Sequence, residues 1–267
     1  MTDVVKDVAS AAEQSRLFRT LARGGYAANG LVHVLIGALA FVVATGGQGR
    51  SDQAGAFGVL RDSVVGLPLL WTAALLLVAL GAWHALEAVR IRRPGTIATW
   101  GMRVSEVGQA VVFIALGVIA VAVALGGRPD GDEAARDVSS GVLTVPGGVF
   151  LIAAAGLGLV IGGIAFVVMG LKRSFRNKVS IPDGAWGVVV SASGLVGFIA
   201  KGVSLAAIGL LLLVAALRED ARAAGALDAA IQALLEQSFG PPLVAGIGVG
   251  LVVYGLFCFV RARYARL

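Results

Sequence analysis

The stretch Arg23-Gly-Gly-Tyr-Ala-Ala-Asn-Gly-Leu-Val-His-Val-Leu-Ile-Gly37 decides how the chain is read. It places Asn29 and His33 one helical turn apart in a segment otherwise suited to lipid, and weakened copies of it open two later hydrophobic hairpins. Aligning the copies puts Tyr26 on Glu106 and Phe198, Asn29 on Gln109 and Lys201, and His33 on Phe113 and Leu205. Spacings of three, four and seven set Tyr26, Asn29, Gly30, His33 and Gly37 on one helical face, so the polar face is repeated in each copy.

Composition defines the solvent. Hydrophobic residues make up 58% of the 267 and charged residues 14%. Ordinary soluble domains carry roughly 25% charged residues, so this chain could not coat itself against water. The apolar runs, about 24 to 45, 67 to 89, 104 to 126, 146 to 171, 192 to 217 and 243 to 260, each approach the ~20 residues a spanning helix needs. The 38 glycines would weaken soluble helices but suit close packing in lipid. Residues 1 to 23 form an N-terminal cytoplasmic surface segment, with a short helix lying on the membrane over residues 1 to 20. Repeat 1 covers 24–93, repeat 2 covers 99–173 and repeat 3 covers 191–263, each with two spans. Ala185 to Ser191 would make the fifth span overlong, so Trp186 is expected to lie along the interface.

Basic residues sort by connection. Lys6, Arg16, Arg19 and Arg23 precede the first span; Arg90, Arg92, Arg93 and Arg103 flank the second connection; Lys172, Arg173, Arg176 and Lys178 fill the fourth; Arg261, Arg263 and Arg266 end the chain. The other three connections hold fewer basic residues and most of the acids, among them Asp52, Asp130, Asp132 and Asp228. The positive-inside rule then puts both termini in the cytoplasm. In the first and fifth connections Phe57, Leu60 and Val64, and Leu227, Ile231, Leu234 and Leu235, recur at helical spacing, predicting short amphipathic helices across the outer mouths of their hairpins.

Three glycine columns support the repeat: Gly37 with Gly117 and Gly209, Gly66 with Gly147 and Gly240, and Gly81 with Gly162 and Gly255. Each unit holds an even number of spans, so all three enter the membrane in the same orientation. The expected fold is an all-α membrane protein with six transmembrane helices arranged as three parallel two-helix repeats in a pseudo-threefold bundle. Gly158-x-x-x-Gly162 and Gly246-x-x-x-Gly250 have the spacing of close helix contacts.

With these features the chain resembles the bacterial integral-membrane proteins carrying domain of unknown function 1206, which are built from three tandem two-helix units. The resemblance rests on Arg23 to Gly30 with Gly37, on Phe57 to Gly66 and on the tripled hairpin, and it covers nearly the whole chain. That family usually has a basic residue at the place of Asn29. The resemblance implies a bacterial plasma-membrane location and supplies no activity.

The candidate site is an intramembrane polar network of Asn29, His33, His84, Glu87, Glu106, Gln109 and Lys201. A charge at mid-membrane costs about 2.5 to 3.5 kcal/mol on insertion scales, so such groups face the bundle interior and pair with one another. Lys201 is expected to point inward and share a network with Glu106, Gln109 and Asn29, its counter-charge being Glu106 or Glu87. Two readings stay open: a structural network fixing helix register, and a proton or ion path through His33, His84, Glu87, Glu106 and Lys201. The single cysteine, Cys258, excludes an intrachain disulfide and a cysteine zinc cluster. No metalloprotease helix, nucleophile elbow or phosphate loop occurs, so neither an enzyme nor a cofactor is expected. The expected partners are the lipid bilayer and a membrane protein or second copy, with no nucleic acid. The leading function is a non-catalytic membrane component or partner-binding protein; the alternative is a small transporter or proton or ion channel with a polar path lined by the first, third and fifth spans.

Overall fold

A computed structural model describes residues 16–91, 96–181 and 183–265. Among these residues nine α-helices form, of which six are long and apolar enough to cross a membrane. The spans are α1 (Arg16–Ala44), α3 (Gly66–Arg90), α4 (Thr96–Ala124), α6 (Gly148–Leu171), α7 (Ala185–Arg218) and α9 (Gly240–Tyr264). Short helices α2 (Gln53–Arg61), α5 (Gly131–Leu143) and α8 (Leu227–Leu235) sit in the first, third and fifth connections.

Helices α2 and α8 are the two amphipathic helices expected from the sequence, except that Val64 lies beyond the end of α2 and is fully exposed. They bury Phe57 and Leu60, and Leu227 and Ile231, against the spans. Helix α5 was not foreseen. Asp130 caps it by accepting from the amides of Asp132 and Glu133, while only Asp132 and Ser139 are buried along it.

Two further expectations are corrected. Helix α1 starts at Arg16 and runs without a break into the first span, so residues 16 to 20 are not part of a separate surface helix. The rest of that segment, including Lys6, lies outside the described residues, as do Arg92, Arg93 and Arg266. Residues 185 to 191 are likewise the first turns of α7, a continuous helix of 34 residues. At about 1.5 Å per residue it reaches ~50 Å, longer than the hydrocarbon core. Its extension is held by a second small core: Phe175, Val179 and Val190 are buried together with Phe198 and Phe257, and Val179 bridges to Ala265.

The packing follows the repeat. The even span of each unit lies on the odd span of the next: α3 on α4, α6 on α7, and α9 back on α1. Each of these seams uses small residues seven apart, running antiparallel. Gly30 and Gly37 meet Gly255 and Gly248; Gly202 and Gly209 meet Gly163 and Gly156; Ala110 and Gly117 meet Gly81 and Ala74. A Cβ added at Gly37 would stand 2.5 Å from the carbonyl of Gly248, and one at Gly202 2.5 Å from that of Gly163. The backbones touch, which in lipid supplies dispersion contacts and Cα–H···O bonds where no hydrophobic drive acts between helices.

These seams move two alignment columns by one residue. Gly81 and Gly255 correspond to Gly163, not Gly162; the even spans open on Gly66, Gly148 and Gly240, each tucked against carbonyls ending the preceding short helix, so Gly148 replaces Gly147. The four-residue glycine spacings supply one contact each: Gly162 and Gly250 meet α7 at Leu205 and Ala200, while Gly158 and Gly246 face open space.

Among the described residues, α1 packs on α3 and α7 on α9 within their units, but α4 and α6 of the second unit do not pack along each other. The spans therefore neighbour one another in the order α4, α3, α1, α9, α7, α6. Burial agrees: half of α9's most apolar window is buried, against 17% for α6 at one end of that order.

Candidate functional site

The first seam residues place two polar clusters in the half of the bundle nearer the termini. In one, His84 of α3 lies with Nδ1 2.5 Å from the Glu106 carboxylate of α4 and Nε2 3.4 Å from the Tyr26 hydroxyl of α1. Arg261 of α9 donates to the same hydroxyl at 3.0 Å and covers the Tyr26 ring at 4.0 Å. With His84 neutral, the protons of this network run one way. Arg261 donates to Tyr26, Tyr26 donates to Nε2, and Nδ1–H donates to Glu106, which fixes the His84 tautomer. A cation and a carboxylate are thereby joined through two neutral side chains across four spans. Phe113 stacks on the His84 ring at 5.3 Å.

The second cluster lies between α1, α7 and α9. Lys201 donates to the Tyr254 hydroxyl at 3.1 Å and sits over the rings of Tyr254 at 4.6 Å and Phe166 at 5.2 Å. Asn29 donates to the Cys258 sulfur at 3.5 Å, while its buried Oδ1 meets no partner among the described residues. His33 Nδ1 is 2.8 Å from the Asn29 carbonyl, one turn back on its own helix, and its ring meets Tyr254 at 4.8 Å.

The seven expected residues thus divide. His84 and Glu106 come together, as do Asn29 and His33. Glu106 turns to His84, and Lys201 is satisfied by a phenol oxygen and two ring faces, so the expected ion pair between them is replaced on both sides. Gln109 bonds weakly to the Ser105 carbonyl of its own helix at 3.5 Å. Glu87 lies 3.8 Å from Arg90, both about a third exposed, and not beside Lys201. Tyr254, Phe166, Cys258 and Arg261 were not foreseen. In the corrected register His84, Phe166 and Cys258 are equivalents, each facing the odd span of the next unit, a pattern visible only once Gly163 and not Gly162 is aligned with Gly81.

At the opposite face the short connections are tied together by acids. Arg50 pairs with Asp52 at 2.7 Å and Asp130 at 3.2 Å; Asp228 accepts from the Ser51 amide at 2.7 Å; Asp132 accepts from the Ala226 amide at 2.7 Å. Burial works against the Arg50 charge, but Asp52 and Asp130 hold its pKa above the usual value. The Glu133 amide, with Arg50, lowers that of Asp130. Burial, then Asp132 and Asp52, raise that of Asp228. No group of three or more His, Cys, Asp or Glu residues arranged to hold a metal occurs among the described residues.

Comparison with known proteins adds family and no activity. Over 249 residues the chain is 26% identical to the "Uncharacterized protein YxxB" of Bacillus subtilis (strain 168), covering 92% of this chain and 90% of that protein. No solved structure matches it. The family model Domain of Unknown Function (DUF1206) matches three times, at residues 24–90, 105–173 and 196–265, one match for each two-span unit, and the chain belongs to this family.

Proposed function

We propose that this chain is a multi-pass plasma-membrane protein with both termini in the cytoplasm, that it is not an enzyme, and that it serves as a non-catalytic membrane component whose polar residues fasten the units. The observation that supports this reading is where polarity stops. Beyond His33, toward the short helices, the core between the spans is made of Ile36, Ala40, Leu70, Leu116, Ala120 and Val244, all under a tenth exposed. A proton or ion path needs polar groups or water along its whole length. The positive-inside count supports the orientation.

The hydrogen-bonded run Arg261–Tyr26–His84–Glu106 favours a second reading, a proton relay. Reconstitution separates the two. Liposomes holding the protein and an internal pH dye, given a pH step and a potassium-valinomycin potential, are expected to acidify no faster than protein-free liposomes. Acidification that depends on the protein and falls in His84→Phe would establish the relay and overturn the non-catalytic reading.

A further inference from the structure

The three short helices keep one register. They end at Arg61, Leu143 and Leu235, each five residues before the glycine that opens the next span, Gly66, Gly148 or Gly240. Counting back nine residues from those glycines gives Phe57, Ser139 and Ile231 as equivalents. Phe57 and Ile231 are fully buried in the main core and plug the mouths of their hairpins. Helix α5 sets only a hydroxymethyl group at that place.

The missing plug leaves a space. Beneath α5 lies a recess of about 430 Å³ lined by Ser139 and Val142 of α5, Leu151, Ile152 and Ala155 of α6, and Leu212 of α7. Helix α2 rests on both spans of its own hairpin, and α8 on both of its own, whereas α5 packs on α6 and, among the described residues, not along α4. The recess is therefore open on the side that α4 would close. Val138 and Leu151 beside it are 67% and 63% exposed.

Ser139 brings the one polar side chain to the lining. It is 4% exposed, and among the described residues its hydroxyl has no hydrogen-bond partner. Ser140 and Thr144 instead return theirs to the carbonyls of Asp137 and Gly141. A buried hydroxyl without a partner costs free energy, which an acceptor placed inside the recess would offset.

Depth and opening identify what supplies that acceptor. Helix α6 has 24 residues, about 36 Å at 1.5 Å per residue, against a hydrocarbon core of about 30 Å. Leu151 to Ala155 then lie just inside the edge of that core, and Ser139, on the short helix over them, lies at the level of lipid ester groups. The open side of the recess borders the bilayer, and its volume is in the range of small-ligand sites.

We propose that the recess beneath α5 binds the first segment of an acyl chain of an ester-linked bilayer lipid, its ester carbonyl accepting from Ser139 Oγ. The chain fills from the bilayer the space that Phe57 and Ile231 fill from within the protein. The lining carries no charge for a headgroup, so the site reads the chain and its carbonyl.

The test uses the full-length protein, delipidated in a neutral maltoside detergent, with thermal unfolding followed as dioleoyl phosphatidylcholine or its ether-linked analogue is added. The ester lipid is expected to raise the melting temperature at lower concentration than the ether lipid. Ser139→Phe, which restores the plug of the first unit, should raise the melting temperature of the delipidated protein and abolish the response to both lipids. Ser139→Ala keeps the recess and removes the donor: the apparent affinity for the ester lipid should fall about fivefold, the worth of one hydrogen bond, and the two lipids should then act alike. A lipid response unchanged in Ser139→Phe would place the lipid elsewhere and overturn the proposal. Equal action of the two lipids on the parent would overturn the carbonyl contact with Ser139. A parent that is dimeric without lipid, becomes monomeric in Ser139→Phe and shows no lipid response would assign the recess to a second copy instead. Should Ser139→Phe fail to fold, Ala155→Leu, which fills the recess from α6, decides: an unchanged lipid response there is incompatible with the site.

Discussion

Replacing Gly37 by leucine is expected to abolish the folded protein in membranes. A Cβ at Gly37 would lie 2.5 Å from the Gly248 carbonyl and 2.7 Å from the Val252 amide, and both are backbone atoms of a helix that cannot give way locally. Relief requires α1 and α9 to separate along the whole seam, which also unseats Gly30 from Gly255. Overpacking ordinarily costs about 1 to 3 kcal/mol where side chains can shift. Here they cannot, so the loss should exceed ~4 kcal/mol, the range reached only by disrupted cores. Gly158→Leu and Gly246→Leu carry the same added volume where nothing lies within 4 Å, and should melt within about 0.5 kcal/mol of the parent. Yield of monodisperse protein and detergent melting distinguish these outcomes. Comparable loss in all three would mean that glycine matters here for reasons other than the seams.

Glu106→Gln is expected to destabilise by roughly 3 kcal/mol, because removing one charge of a buried, hydrogen-bonded set leaves Arg261 uncompensated. The loss should be shared with His84. In a double-variant cycle of Glu106→Gln with His84→Phe the combined loss should fall short of the sum by at least ~1 kcal/mol, as found for residues in one hydrogen-bond network. Glu106→Gln combined with Lys201→Met should instead be additive, since Lys201 bonds to Tyr254. Coupling between Glu106 and Lys201, with none between Glu106 and His84, would show that the carboxylate serves Lys201.

What could be read from the sequence, and what could not, follows physical lines. The six spans rest on apolar length, and α2 and α8 on a three-four periodicity strong enough to survive in short loops. Helix α5 has an apolar row of only two alanines and two valines, Ala134, Ala135, Val138 and Val142, too slight to stand out from a loop, so the Asp130 cap with Asp132 and Glu133 is its clearer mark. The one-residue error in two glycine columns has a simple cause: Gly147-Gly148 and Gly162-Gly163 are doublets, and either member fits an alignment. Only the carbonyl contacts choose between them.

Pairing was harder to read than depth. The repeat aligns Lys201, Gln109 and Asn29, but an alignment does not say which spans are neighbours. In the packed order α9, α1 and α3 stand between α7 and α4. Lys201 therefore meets Tyr254 of α9, and Glu106 meets His84 of α3. Arg261 belongs to the basic run at the end of the chain and reads as a topology signal, yet its guanidinium turns back over Tyr26.

The third unit closes on the first, with α9 against α1. Cys258 is the chain's single cysteine, and its sulfur lies 3.5 Å from the Asn29 amide, 229 residues away in sequence. Asn29→Cys sets a second thiol beside it without adding bulk. After mild oxidation in native membranes, the account predicts an intrachain disulfide that holds the two ends together when the chain is cut by protease between its units, and that is released by reductant. Gly246→Cys, on a face of α9 that meets nothing, should give no intrachain link. Two free thiols in Asn29→Cys, both alkylated after the same oxidation of well-folded protein, would contradict the closure of α9 on α1 and with it the arrangement of all three units.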